Sequence, residues 1–68
     1  MSSCVTANGK AYEIHPGIPL EGFLRKIGLD AAWVVVELNG EPIPRPRIGK
    51  VRLSCGDRLE IVHAVPGG

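Results

Sequence analysis

Pro19-Leu20-Glu21-Gly22-Phe23-Leu24-Arg25-Lys26-Ile27-Gly28 is the stretch on which the architecture turns. Leu20, Phe23, Leu24 and Ile27 stand at i, i+3, i+4 and i+7, a single apolar stripe at helical period. The spacing predicts a helix from about Pro19 to Ile27. Pro19 suits the first turn, where a missing N–H costs nothing. Glu21 near the start and Arg25 and Lys26 near the end complement the helix dipole. Gly28 is placed to end the helix in a left-handed conformation. Gly22, in the interior, is the one residue that works against it.

Outward from this helix, both flanks read as strands. On the N-terminal side, Asn8-Gly9 separates Val5-Thr6-Ala7 from Lys10-Ala11-Tyr12-Glu13-Ile14-His15. Asn-Gly between short alternating runs is a hairpin signal, because both residues accept the positive φ of a tight turn. Tyr12 and Ile14 share one face, and Pro16-Gly17 ends the strand. On the C-terminal side, Trp33-Val34-Val35-Val36-Glu37-Leu38 is rich in β-branched residues and predicts a strand. Val34, Val36 and Leu38 are expected to face the helix, with Val35 and Glu37 turned away and Trp33 at the edge of the core. Asn39-Gly40 is a second turn. Pro42-Ile43-Pro44-Arg45-Pro46-Arg47 cannot be a central strand, since three prolines remove three ladder donors; it is expected as an edge segment and loop. Val51-Arg52-Leu53 fits a short strand or a turn, and Ser54-Cys55-Gly56-Asp57 a turn. Arg58 to Val65 is the last strand, and Pro66-Gly67-Gly68 follows it.

The order hairpin, helix, strand, irregular edge, strand predicts an α+β roll. It is a mixed sheet of four to five strands with one helix across one face. If the first and last strands pair in parallel at the centre, the arrangement is a β-grasp. The expected organisation is a domain over 1–64 and a flexible tail over 65–68.

Composition bounds the function. Sixty-eight residues, 44% of them hydrophobic, make one small domain, too short for a barrel enzyme or a two-domain dehydrogenase. Eight basic against seven acidic residues leave +1, which argues against a strong nucleic-acid or membrane-surface binder. The longest apolar run, Ala31 to Val36, is far short of the ~20 residues that span a bilayer. Met1-Ser2-Ser3-Cys4 has neither a basic segment nor an apolar one, so the expected location is cytoplasmic. Cys4 and Cys55 form no metal-binding pair motif and are too few for a disulfide framework, so unpaired thiols are expected. If the first and last strands run parallel, both lie near the starting ends of those strands, and a disulfide between them is then geometrically conceivable but unneeded.

Catalytic constellations are absent from the sequence: no phosphate-binding glycine loop, no nucleophile elbow, no metalloprotease pair. His63, in phase with Leu59 and Ile61, is expected as a satisfied or partly buried strand histidine, and His15 as a strand-end residue. Asp57 belongs to a turn. Arg45, Arg47, Lys50, Arg52 and Arg58 gather in the second half, and they suit a solvated face or a patch for an acidic partner. No aromatic residue interleaves with them to stack bases, which weakens a nucleic-acid reading.

Val65-Pro66-Gly67-Gly68 is the unusual feature. Two glycines carry no β-carbon and so form a thin segment able to enter a narrow tunnel. Four residues reach at most ~14 Å. The functional group of such a tail is its α-carboxylate, which becomes an acyl donor once adenylated and a soft nucleophile once converted to a thiocarboxylate. This chemistry asks for no side-chain catalyst.

Val36-Glu37-Leu38-Asn39-Gly40 followed by Pro44-Arg45, then Gly56-Asp57-Arg58-Leu59-Glu60-Ile61-Val62, then Gly67-Gly68, together resemble the ThiS family of sulfur carriers in thiamine thiazole synthesis. Asn8-Gly9 and the helix with Leu20, Leu24 and Leu29 fit as well, so the resemblance covers nearly the whole chain. It implies a ubiquitin-like β-grasp fold and a protein that is a co-substrate, not an enzyme. It implies adenylation of Gly68 by an E1-like enzyme using ATP, with no cofactor bound to the chain itself. It also implies sulfur supplied by a cysteine desulfurase or other persulfide donor and delivered to thiazole synthase, with Gly67 providing tail flexibility and tunnel access. Neither nucleic acid nor membrane is an expected partner. Pro66 stands where the family more often has Gly or Ala, and 47–50 lacks the Trp that many relatives carry. These departures leave other readings open: the small subunit of molybdopterin synthase, a tRNA-thiolation carrier, or a non-covalent β-grasp binding module. Alternation along the strands puts Val35, Val62 and Ala64 on the sheet face away from the helix. With Val65, Pro66, Arg45 and Arg58 they are the expected partner contacts.

Overall fold

The computed structural model describes residues 3–64. In chain order these are β1 (Ser3–Ala7), β2 (Lys10–Ile14), α1 (Leu20–Lys26), a 3-10 turn (Ala31–Trp33), β3 (Val34–Leu38), β4 (Glu41–Ile43), α2 (Arg45–Ile48) and β5 (Arg58–His63). One mixed sheet of five strands has the order β2-β1-β5-β3-β4. β1 and β5 pair in parallel at its centre, and every other neighbour is antiparallel. This is the β-grasp arrangement expected.

Alternation sets what the sheet buries. Val5 and Ala7 of β1, Ile14 of β2, Val34 and Val36 of β3 and Leu59 and Ile61 of β5 all point to one side. Leu20, Phe23 and Leu24 of α1 cover them and are fully buried. Leu53 and Ile48 close the remaining flank, and Ile27 and Leu38 pack at the margin. Phe23 meets Tyr12 edge to face, with ring centroids 5.5 Å apart.

α1 is one residue shorter at each end than the spacing predicts. Pro19 is the N-cap, with ψ 142, and its carbonyl accepts the first helical bond from the Phe23 N–H at 3.0 Å. Ile27 is the C-cap, and Gly28 follows at φ +85, the left-handed stop expected of it. Arg25 lies 3.8 Å from Glu21, an exposed pair of little energetic weight.

The proline-rich stretch is more regular than expected. Pro42 does sit in an edge strand, paired opposite Glu37, where its missing N–H faces away from the ladder. Beyond it Pro44 caps α2, Pro46 lies in its first turn and Ile48 is buried. Proline is well placed at a helix start for the same reason that it is poor in a strand. Val51–Leu53 adds no strand to the sheet: it lies along the lead-in to α1, with Arg52 bridging Pro19. Leu53 N–H donates to Ile18 O at 2.9 Å, and Leu20 N–H to Val51 O at 2.8 Å. Trp33 belongs to the 3-10 turn and not to β3, and at 49% exposure it is a surface residue, not a core edge. Asp30 caps that turn through Ala32 N–H, which holds the backbone out of strand geometry until Val34.

Candidate functional site

β5 is the strand from which Val65-Pro66-Gly67-Gly68 continues, and its position is fixed from both sides. On the β1 side, regular pairing stops at Ala7 opposite Leu59. Asn8 then extends the ladder with its side chain: Nδ2 donates to Ile61 O at 2.9 Å, and Ile61 N–H donates to Oδ1 at 2.7 Å. On the β3 side, Asn39 exchanges bonds with Arg58. Arg58 N–H donates to Oδ1 at 2.9 Å and Asn39 N–H to Arg58 O at 2.8 Å. Asn39 Nδ2 also donates to Asp57 Oδ1 at 3.1 Å, and the other carboxylate oxygen of Asp57 accepts the Ser54 N–H at 2.8 Å. Asp57 is thus the turn residue expected. Both asparagines sit at φ 52, a conformation Asn tolerates better than most residues. Sequence reasoning found two turns here but missed that both turns grip the same strand. The available signal was Asn, rather than Asp or Gly, at the first position of each.

At the far end of β5, Ala64 N–H donates to Trp33 O at 2.8 Å, the last rung before the tail. Gly67, Gly68, Val65 and Pro66, four of the expected site residues, lie outside the described residues.

The sheet face away from α1 is ordered in rows. Val35 stands opposite Val62, and at 47% and 63% exposure they form an uncovered apolar pair. Ala64, half-buried, is two residues further along the same face. In the next row Glu37 stands directly opposite Glu60, both exposed. Arg58 is exposed on this face too, but four residues back along β5, about 13 Å from Val62 at strand rise. Arg45 is brought beside Val35 by α2 instead, on the side of β3 away from Val62. It lines a shallow groove of about 330 Å³ with Val35, Val34, Pro42, Pro44 and Ile48. The structure therefore gathers Val35, Val62, Ala64 and Arg45 at one end and places Arg58 at the other.

His63 is exposed, against the expectation of a satisfied or partly buried residue. It stands opposite Val34, the first residue of β3, where the sheet runs out. It lines a groove with Asn8, Lys10, Tyr12, Ile27 and Leu29. His15 is exposed as well. Among the described residues no three His, Cys, Asp or Glu side chains gather as a metal site. No helix there is long and apolar enough to cross a membrane.

Comparison with known proteins is consistent across sequence and fold. Curated relatives include thiazole synthases from Paramagnetospirillum magneticum, 34% identical over 61 residues, and Magnetococcus marinus, 36% identical over 61 residues. Each match covers 90% of this chain but only 19% of the relative, so the chain spans about a fifth of the length of the curated proteins it matches. Among solved structures, the crystal structure of the thiamine biosynthesis protein (ThiS) from Geobacter metallireducens superposes with TM-score 0.79 at 28% identity. That match covers 96% of this chain and 99% of the other. The solution structure of a thiamine biosynthesis protein from the same organism gives 0.73 at 28% identity, covering 100% and 88%. The ThiS family model matches residues 5–68, from the first core valine through the two final glycines, and the chain belongs to the ThiS family.

Proposed function

We propose that this chain is a sulfur carrier whose reactive group is the α-carboxylate of Gly68. In the first step a carboxylate oxygen attacks the α-phosphorus of ATP in an E1-like adenylating enzyme, pyrophosphate leaves, and an acyl adenylate forms. The outer sulfur of a persulfide donor such as a cysteine desulfurase then displaces AMP to give an acyl disulfide. A second thiol attacks the donor's sulfur in that S–S bond, releasing the thiocarboxylate and leaving the donor as a disulfide. Thiazole synthase is the proposed acceptor of that sulfur, with the thiazole of thiamine as its destination. The chain acts in this as a consumed co-substrate, not as an enzyme. It binds no cofactor of its own, because ATP is held by its partner.

The observation that carries this reading is the family match running through Gly67-Gly68, directly beyond a strand clamped by Asn8 and Asn39. The acceptor is supported by the relatives, in which the stretch like this chain is a fifth of a protein named thiazole synthase. Val35, Val62 and Ala64, with Val65, Pro66 and Arg45, are proposed as the docking surface for these partners, and Arg58 as a contact at its far margin.

The test is intact mass after incubation with the adenylating enzyme, ATP and a persulfide donor. Replacement of one oxygen by sulfur is expected. An unchanged mass, with the same enzyme charging its own carrier, overturns the reading. The reading also requires the working polypeptide to end at Gly68, which intact mass of the cellular protein checks. Deleting Gly68 abolishes charging but leaves the thermal midpoint within about 2 °C, because the core residues run from Val5 to Ile61. Supplying the thiocarboxylate to thiazole synthase and to the large subunit of a pterin-dithiolene synthase decides the acceptor.

A further inference from the structure

We propose that Cys4 and Cys55 are a paired redox site, closing a reversible disulfide by exchange with low-molecular-weight disulfides. Both thiols are free and exposed. They are distant in sequence, but the parallel pairing of β1 and β5 brings them together. Above Thr6, which donates its N–H to Asp57 O at 3.0 Å, the strands remain joined by Gly56 N–H donating to Cys4 O at 2.9 Å. That bond joins the carbonyl of Cys4 to the amide that follows Cys55, in the turn that precedes β5. With standard bond lengths the Cα atoms of Cys4 and Cys55 are then at most about 7.7 Å apart, so no more than a small shift of the turn sets them within the roughly 4.4–6.8 Å that a disulfide spans.

The surroundings leave the pair room to react. Cys4 precedes buried Val5 and so points to the face that α1 does not cover. Cys55 lies in the turn Ser54–Asp57, which is closed by Asp57 N–H donating to Ser54 O at 3.1 Å. Gly56, at φ +92, supplies that turn's left-handed residue, and nothing stands within 4 Å of where its β-carbon would be. Cys55 and Gly56, the two central residues of the turn, are both exposed, so it is the outer part of the turn that can adjust. An exposed bridge of this kind is readily reduced, which makes it a labile modification rather than a permanent staple.

The exchange balances. One thiolate attacks a sulfur of the small disulfide, forming a mixed disulfide and expelling one small thiol. The second thiolate attacks the protein sulfur of that mixed disulfide and expels the other. The protein loses two electrons and two protons, and the small disulfide is reduced to two thiols. The ring ties the β1–β2 hairpin to the start of β5, at the end of the strand opposite the tail. None of this depends on the sulfur-carrier reading.

The experiment equilibrates the full chain with graded mixtures of oxidised and reduced glutathione, traps free thiols by alkylation, and measures intact mass and proteolytic peptides. The expected product is a monomer lacking two hydrogens, with one Cys4–Cys55 cross-linked peptide. Cys55→Ser instead stops at a glutathione adduct on Cys4. In the native chain the ring closes at an oxidised-to-reduced ratio at least about tenfold lower than in concentrated urea, since only the fold holds the thiols together. Two glutathione adducts, an intermolecular dimer, or equal ratios with and without urea would each overturn the proposal.

Discussion

The side-chain amide of Asn8 holds Ile61 at both of its backbone groups, accepting from its N–H at 2.7 Å and donating to its carbonyl at 2.9 Å. One side chain thereby replaces the rung that β1 would have made had it continued past Ala7. The same residue supplies the left-handed φ that starts the β1–β2 turn, so a local requirement and a long-range one fall on a single position. Asn8→Ala removes both bonds and strains the turn, and we expect a loss of about 2–4 kcal/mol. Asn8→Gly restores the turn but not the bonds and should recover about 1 kcal/mol of that. Urea denaturation of the three proteins measures both steps. Equal stability of the Ala and Gly variants would show that the turn conformation is not strained.

Glu37 and Glu60 face each other across β3 and β5 at the middle of the uncovered face. Among the described residues neither carboxylate has a cation within 4 Å. Like charges directly opposite one another oppose strand pairing. Glu60→Gln is therefore expected to raise stability by about 0.2–1 kcal/mol at low ionic strength. The gain should shrink as salt approaches 1 M, where the screening length falls to about 3 Å. A gain that does not respond to salt would point to packing and not charge.

Two glycines should respond to alanine in opposite directions. At Gly22, inside α1, a β-carbon would meet Ile18 Cγ1 at 3.8 Å and Pro19 Cδ at 3.9 Å, ordinary contact distances. Gly22→Ala should stabilise by about 0.5–1 kcal/mol through helix propensity. At Gly56 a β-carbon meets nothing, but φ is +92. Gly56→Ala should cost about 1–2 kcal/mol through backbone strain alone. Thermal melts of both variants check the two signs, and the Gly56 variant must remain folded for the comparison to hold.

Most of the sheet was legible because its rules are periodic. Two Asn-Gly turns, one i, i+3, i+4, i+7 stripe and alternation at Val34, Val36, Leu59 and Ile61 specify the strands, the helix and their buried sides. What escaped was settled by competition between local and distant effects. Pro42, Pro44 and Pro46 each remove a donor, yet one lies in an edge strand and two at a helix start. The burial of Ile48 is what makes the second arrangement worthwhile, and composition does not show it. Trp33 reads as strand by residue type, but the Asp30 cap keeps it out. His63 is in phase with two core residues yet exposed, because Val34 opposite it is where β3 begins. Of the expected site residues, Val35, Val62 and Ala64 follow from alternation alone. The meeting of Arg45 with Val35 needed α2, and the separation of Arg58 from them needed the register.

Val35 and Val62 are uncovered and adjacent, Val62 on the strand that leads into the tail and Val35 on its neighbour β3, and a docking role for them can be separated from a folding role. Threonine keeps the branched Cβ and the strand propensity of valine while replacing a methyl with a hydroxyl. On an exposed pair the exchange Val35→Thr with Val62→Thr should change unfolding free energy by less than about 1 kcal/mol. In a partner interface the two hydroxyls would be buried without partners, at about 1–3 kcal/mol each. Affinity for the adenylating enzyme should therefore fall at least about tenfold, read as a rise in KM for the carrier with a smaller change in kcat. A double variant that melts like the parent and is charged with the parent's KM would remove Val35 and Val62 from the docking surface. The chemistry proposed at Gly68 would be untouched by that result, since it rests on the tail and not on this face.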